Sequence, residues 1–161
     1  MSANANALTT CLWFDGQAEQ AAEHYGSIFK DFRLGDVLRY SDAGPGPAGT
    51  VLTVEFEING QKFVGLNGGP QFTFSEAVSF QIPCADQAEV DYYWERLTDG
   101  GSESQCGWLK DRFGLSWQVV PVELLALLTD PDPVKATRTT EAMYKMAKLD
   151  IDVLRDVHAG N

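Results

Sequence analysis

Two stretches of the chain repeat one alternation of apolar and polar residues. Leu8, Thr10, Leu12 and Phe14 fall on one side of an extended segment and Thr9, Cys11 and Trp13 on the other, which is the period of a strand. A Gly16-x-x-Glu19 start follows, and Ala21, Ala22, Tyr25, Ile28 and Phe29 recur at helical spacing. Further along, Val78, Phe80, Ile82 and Cys84 alternate again, Asp86-x-x-Glu89 has the form of a capping box, and Val90, Tyr93, Trp94 and Leu97 make a second helical face. The chain spells strand-then-helix twice.

Each helix is followed by more extended pattern. In the first half this runs from Thr50 to Ile58, turns at Asn59-Gly60, and returns over Lys62 to Asn67. The second half has a weaker run from Ser104 to Leu109 and a firm one from Leu115 to Val120. Each repeat therefore reads as β-α-β-β-β, and the fold class as α+β, with two modules forming one curved sheet backed by helices. The reading is of one domain: a first module over about residues 7–70, a second over about 76–122, and a helical extension over about 130–158. The Gly/Pro cluster Ser41 to Gly49 excludes regular structure and reads as a surface connection or a lid. The extension opens at Asp130-Pro-Asp-Pro133, carries Ala142, Met143, Met146, Ala147 and Leu149 as apolar positions, and has Asp150 as a cap for a last turn through Val157. Helices this apolar must cover either their own subunit or a partner chain, so a homodimer is expected.

Composition narrows the function classes. A chain of 161 residues, 44% hydrophobic, buries a substantial core. Its net charge of −11, from 12 Lys plus Arg against 23 Asp plus Glu, repels nucleic acid and anionic membranes. Neither is an expected partner. No segment approaches the ~20 apolar residues of a membrane span, and the amino terminus lacks a basic region with an apolar run. Cys11, Cys84 and Cys106 are odd in number and fit no zinc-ligand spacing. They point to a reducing compartment, and the expected location is the cytoplasm.

Several tracts together resemble one family. Phe14 to Tyr25, Leu66-Asn-Gly-Gly-Pro70, Ser79 to Trp94, Cys106 to Pro121 and Glu141 to Met146 are similar to the PhnB-like branch of the vicinal oxygen chelate superfamily, which includes glyoxalase I and bleomycin-resistance proteins. Members often carry the label 3-demethylubiquinone-9 3-methyltransferase, and the resemblance implies the paired β-α-β-β-β fold. The methyltransferase label conflicts with the residues: no strand leads into a Gly-x-Gly-x-Gly loop and helix for S-adenosylmethionine, and Pro70 opposes a helix after Leu66-Asn-Gly-Gly.

The resemblance also places four metal-ligand slots, held in metal-dependent relatives by His, Gln or Glu. Here the last-strand slot of the second module, usually a glutamate, is Gln118, and its first-strand slot, on the fifth strand of the chain, is Ser79. The corresponding first-module positions are Thr9 or Thr10, and Val64 with Asn67 the nearest polar residue. Transition metals prefer imidazole, thiolate or carboxylate, so no cofactor is expected. A metal-dependent lyase or dioxygenase remains the alternative. Of other catalytic groups, Cys11 stands as a candidate nucleophile, and cations beside Cys106 would favour a thiolate there. Cys106 lies close in sequence to Lys110 and Arg112, His24 sits at a helix edge and His158 near a frayed terminus. Asp111 and Gly114 read as turn residues, and Trp94 and Trp117 as core. The expected function is therefore binding of a small organic molecule in a concave pocket lined by Thr9, Cys11, Trp13, Asn67, Ser79, Gln81, Trp108 and Gln118.

Overall fold

A computed structural model describes residues 6–161. The chain divides into two compact units, Met1–Thr73 and Phe74–Asn161. The fold is mixed α+β: each unit holds a four-stranded sheet, and the second adds helices at its C-terminal end.

The first unit runs β1 (Thr10–Phe14), α1 (Ala18–Ile28), β2 (Phe32–Arg39), β3 (Val51–Ile58) and β4 (Gln61–Asn67), with sheet order β1-β4-β3-β2. β1 lies parallel to β4, and the other pairs are antiparallel. Asn59 and Gly60 both take positive φ, 50° and 80°, as the tight turn between β3 and β4 requires. Ala18, Ala21, Ala22, Tyr25 and Ile28 bury one face of α1. Phe56 stacks on Phe63 at 5.3 Å between ring centroids and packs near Tyr25, so aromatic area dominates this core. Leu8 lies before β1 and is exposed, which removes it from the alternation that Leu12 and Phe14 maintain.

The second unit runs β5 (Ser79–Cys84), α2 (Gln87–Thr98), β6 (Ser102–Glu103), β7 (Trp108–Lys110) and β8 (Ser116–Pro121), in order β5-β8-β7-β6. Asp86 accepts from Glu89 N at 2.9 Å while Glu89 Oε2 accepts from Ala85 N at 2.7 Å, a reciprocal cap that starts α2. Ile82, Cys84, Val90, Trp94, Leu97, Leu109, Trp117 and Val119 fill the space between sheet and helix. Val78 is outside β5 and exposed, so the buried face of that strand is shorter than the alternation predicts. The run expected from Ser104 to Leu109 is interrupted by a turn with Cys106 at φ 59° and Gly107 at φ 81°, and glycine is required at 107, where a Cβ would meet Val119 O at 2.7 Å.

The C-terminal part contains α3 (Leu124–Leu128), α4 (Pro133–Met143) and α5 (Ile151–Ala159). It covers its own chain. Leu124, Leu149 and Leu154 form a buried cluster joined by Leu128, Met143 and Met146. The Gln87 side chain bridges α2 to this region, donating to Leu149 O at 3.1 Å and accepting from Ile151 N at 2.9 Å. Asp150 caps α5 by accepting from Val153 N. His158 lies within α5 rather than in a frayed end: its Nε2 is 3.1 Å from Asp130 Oδ2, and its carbonyl accepts from Arg138.

Candidate functional site

The polar face of the second sheet carries two rows set by strand register. Gln81 pairs with Gln118 and Gln118 with Trp108; beside them Ser79 pairs with Ser116, Ser116 with Lys110, and Lys110 with Ser102. The rows are cross-linked. Gln118 Nε2 donates to Ser79 Oγ at 2.8 Å, and Gln81 Nε2 donates to Gln118 Oε1 at 3.2 Å. Ser79, Gln81, Trp108 and Gln118 are thus brought together on one surface.

A groove of about 680 Å³ opens over the amide row. Its floor includes Gln81, Gln118 and Val120; Ser104, Gln105, Cys106 and Trp108 form one side, and Leu124, Leu125 and Leu128 of α3 with Met143 and Tyr144 line the rest together with Glu76. The turn carrying Trp108 is held by the C-terminal segment: Cys106 N donates to Met146 O and Gly107 N to Ala147 O, both at 2.8 Å, and Cys106 Sγ lies 3.6 Å from Met143 O. A smaller recess of about 190 Å³ is lined by Glu76, Ser102, Glu103, Ser104, Trp108, Leu109, Lys110 and Ser116. Lys110 Nζ is paired with Glu76 at 2.6 Å, which holds the Glu76 carboxyl below its usual range through that hydrogen bond. Ser116 is buried, and its hydroxyl has no hydrogen-bond partner among the described residues.

The cations expected near Cys106 act elsewhere. Lys110 is committed to Glu76 and Arg112 to Asp99, and burial raises the Cys106 thiol above its usual value. That thiol is a structural one. Cys84 is pushed up to about 12 by burial first and by the Glu89 charge second.

The first-unit candidates sit along β1 and at the end of its partner β4. Thr9 and Cys11 are exposed, and Cys11 pairs with Val64 as Gln81 pairs with Gln118, which makes Thr9 the counterpart of Ser79. Trp13 Nε1 donates to Gly69 O at 2.8 Å, and its ring meets Phe72 edge-on at 4.9 Å. Asn67 works as a clamp: Oδ1 accepts from Ala18 N at the start of α1, and Nδ2 donates to Val51 O at the start of β3. The Ser41 to Gly49 segment wraps Tyr40, whose hydroxyl donates to Asn67 O at 2.7 Å and whose ring would clash with a Cβ on Gly44 or Gly46.

The residues do not fit a metal. Ser79 and Gln118 are neutral and bond to each other, the Thr9 and Val64 positions offer one hydroxyl and no other donor, and no three His, Cys, Asp or Glu side chains cluster among the described residues. Nor does the Gly68-Gly69 pair form a cofactor cradle. A Cβ on Gly68 would lie 2.2 Å from the Trp13 ring, so this glycine admits the tryptophan, and no helix follows it.

Sequence reasoning missed Ser116, the place of Lys110 beside it, Glu76 and the α3 and α4 wall. The first two follow from counting register from the Gly114 turn; the wall had only the Leu124-Leu-Ala-Leu-Leu128 run as a signal.

A family model described as 3-demethylubiquinone-9 3-methyltransferase matches residues 6–120. Among solved structures, a protein described as a 3-demethylubiquinone-9 3-methyltransferase, PhnB, from Bacillus cereus is 33% identical, aligned over 71% of this chain and 98% of its own, with TM-score 0.65. A protein from Pseudomonas aeruginosa is 20% identical over 71% of this chain and 96% of its own, TM-score 0.59. A fosfomycin resistance protein from Listeria monocytogenes is 15% identical over 77% and 97%, TM-score 0.52, a likeness of fold alone. No curated protein matches the chain.

Proposed function

Since the chain belongs to the family described as 3-demethylubiquinone-9 3-methyltransferase, the PhnB-like branch of the vicinal oxygen chelate fold, we propose that it binds a small, largely apolar organic molecule in the second-unit groove without a metal. The observation that carries this reading is the juxtaposition of Gln81 and Gln118 amides with Trp108 under an apolar wall from α3 and the end of α4. Pockets of this size that combine apolar walls with a few convergent polar groups suit a ring-sized ligand, with amides fixing its orientation. The methyltransferase activity in the family's description is not part of the reading, because Gly68 and Gly69 serve Trp13 rather than a cofactor.

Screening aromatic metabolites by thermal shift tests the proposal. Ligands are expected to raise the melting temperature of the native protein and to lose that effect in Trp108→Ala. A library that stabilises nothing, or ligands equally effective on the variant, would overturn it. The same reading takes the chain as a single domain that acts in the cytoplasm, supported by three unpaired cysteines. It takes the assembly as a homodimer, supported by the exposed apolar side chains of Leu34 and Leu38 on β2. One cooperative unfolding transition and a sedimentation mass of twice the chain are the expected results.

A further inference from the structure

We propose that the groove selects an aromatic ligand whose polar head is an amide edge, a donor beside an acceptor, paired edge to edge with the Gln81 side chain while the ring lies on Trp108. This rests on reading the groove as a ligand pocket and adds the chemical class of what enters it.

The hydrogen-bond chain across the sheet sets the preference. It runs from Ser79 through Gln118 to Gln81, with Gln118 Nε2 donating to Ser79 Oγ and Gln81 Nε2 donating to Gln118 Oε1. A serine hydroxyl can donate or accept, so the same chain can also run in the reverse direction with both amides turned over. Gln81 ends the chain either way. Both ends of the Gln118 amide are occupied, by Ser79 and by Gln81. A primary amide has two N–H donors and a carbonyl that accepts twice, and the contact to Gln118 uses a single one of these on Gln81. Gln81 therefore presents a free donor and a free acceptor in both directions of the chain, and its side chain is exposed at the groove floor.

An amide head complements such an edge, because it returns an acceptor to the donor and a donor to the acceptor at once, as glutamine does with adenine. An ester offers acceptors alone and an ammonium donors alone, so each leaves half of the edge unmatched where the ligand excludes water. The lining of the groove includes one charged residue, Glu76, and Lys110 already pairs with it at 2.6 Å. Hydrogen-bond pattern, more than charge, chooses the head.

Strand register fixes the length of the ligand. Gln81, Gln118 and Trp108 stand opposite one another on β5, β8 and β7, so the amide edge and the indole lie two strand spacings apart, roughly 10 Å. A bicyclic ring with a short link to its amide spans that distance, with Leu124, Leu125 and Leu128 as the apolar wall beside it.

Three ligands with one ring test the assignment. In its head, indole-3-acetamide carries donor and acceptor, methyl indole-3-acetate acceptors alone, and protonated tryptamine donors alone. In calorimetric titration of the full chain at pH 7, the amide is expected to bind about fivefold tighter than either, the worth of one hydrogen bond. In Gln81→Met, which keeps the length of an exposed side chain, that lead should vanish while the ring still binds. An ester or amine that equals or exceeds the amide would overturn the proposal, as would a lead that persists in Gln81→Met. Equal binding of all three that weakens in Trp108→Ala would leave the groove standing while removing the amide assignment. If none binds, the amide assignment fails, and the thermal-shift library decides the groove on its own.

Discussion

Asp111 shows how one side chain fixes the site. It is buried, and its Oδ1 accepts from Phe113 N at 2.9 Å and Leu115 N at 3.1 Å while Oδ2 accepts from Trp117 Nε1 at 2.8 Å. The turn into β8, and hence the register that presents Ser116 and Gln118, depends on it. Asp111→Ala should lower unfolding free energy by about 3 kcal/mol, because three donors lose their acceptor at once; denaturant titration measures this, and a loss within the range of an ordinary surface substitution would contradict the role. Ser116→Ala should act in the opposite direction, stabilising the free protein by up to about 1 kcal/mol, since no hydrogen bond is lost and a buried polar group is removed. Thiol labelling separates the cysteines. Cys11 is exposed and should react first, whereas Cys84, buried with its thiol pushed up to about 12, should stay unreactive at neutral pH until the protein unfolds. Asp111, Gly114, Trp94 and Trp117 were legible as turn and core residues because their roles follow from local spacing. Ser116 was not, because its burial depends on what β5 and β7 place on either side of it.

At the level of elements, periodicity revealed what has two distinct faces. β1, α1, β5, α2 and β8 all carry an apolar side and were readable. β2 was not located, since its residues are nearly all exposed and it is ordered by backbone pairing to β3. The α3 run of leucines has no helical alternation to distinguish it from a strand, so its place as a groove wall emerges only from packing against Leu149 and Leu154. Asn67 likewise has a role set by chain ends that meet in space, α1 and β3. Asn67→Ala should cost about 1–2 kcal/mol through the lost helix-start contact and the unpaired Val51 carbonyl, while leaving ligand binding in the second unit unchanged. The C-terminal helices are tied to α2 by the Asp91 to Lys148 pair at 2.7 Å. The Lys148 hydrogen bond lowers the Asp91 carboxyl from 3.8, so its contribution is present above that value and is lost as pH falls through the lower folded value. Lys148 is raised from 10.5 by the same bond, so its contribution is present below that value and is lost as pH rises through the folded value. The pair's contribution, read as the stability difference between the native protein and Lys148→Met, should be constant between these limits and shrink outside them.

For the whole molecule, the resemblance visible in the sequence set the fold, and the second sheet presents one row of Gln81, Gln118 and Trp108 beside another of Ser79, Ser116 and Lys110. The positions that the resemblance matches to metal-ligand slots hold Thr9, Val64, Ser79 and Gln118, and the proposed ligand site is the groove over Gln81, Gln118 and Trp108. Protein purified without a tag should contain only substoichiometric nickel, zinc or iron by elemental analysis; one metal per chain would revive the metal-dependent reading. The central claim is that the second-unit groove receives the ligand. The chain has four tryptophans, so their indole N–H signals report on different regions: Trp13 in the first unit, Trp94 and Trp117 in the core of the second, and Trp108 in the groove. In ¹⁵N–¹H spectra of labelled protein titrated with indole-3-acetamide, the Trp108 indole and the Gln81 and Gln118 side-chain amides should shift together, with Trp13 and Trp117 unmoved. Saturable shifts at Trp13 with Trp108 unmoved would contradict the account.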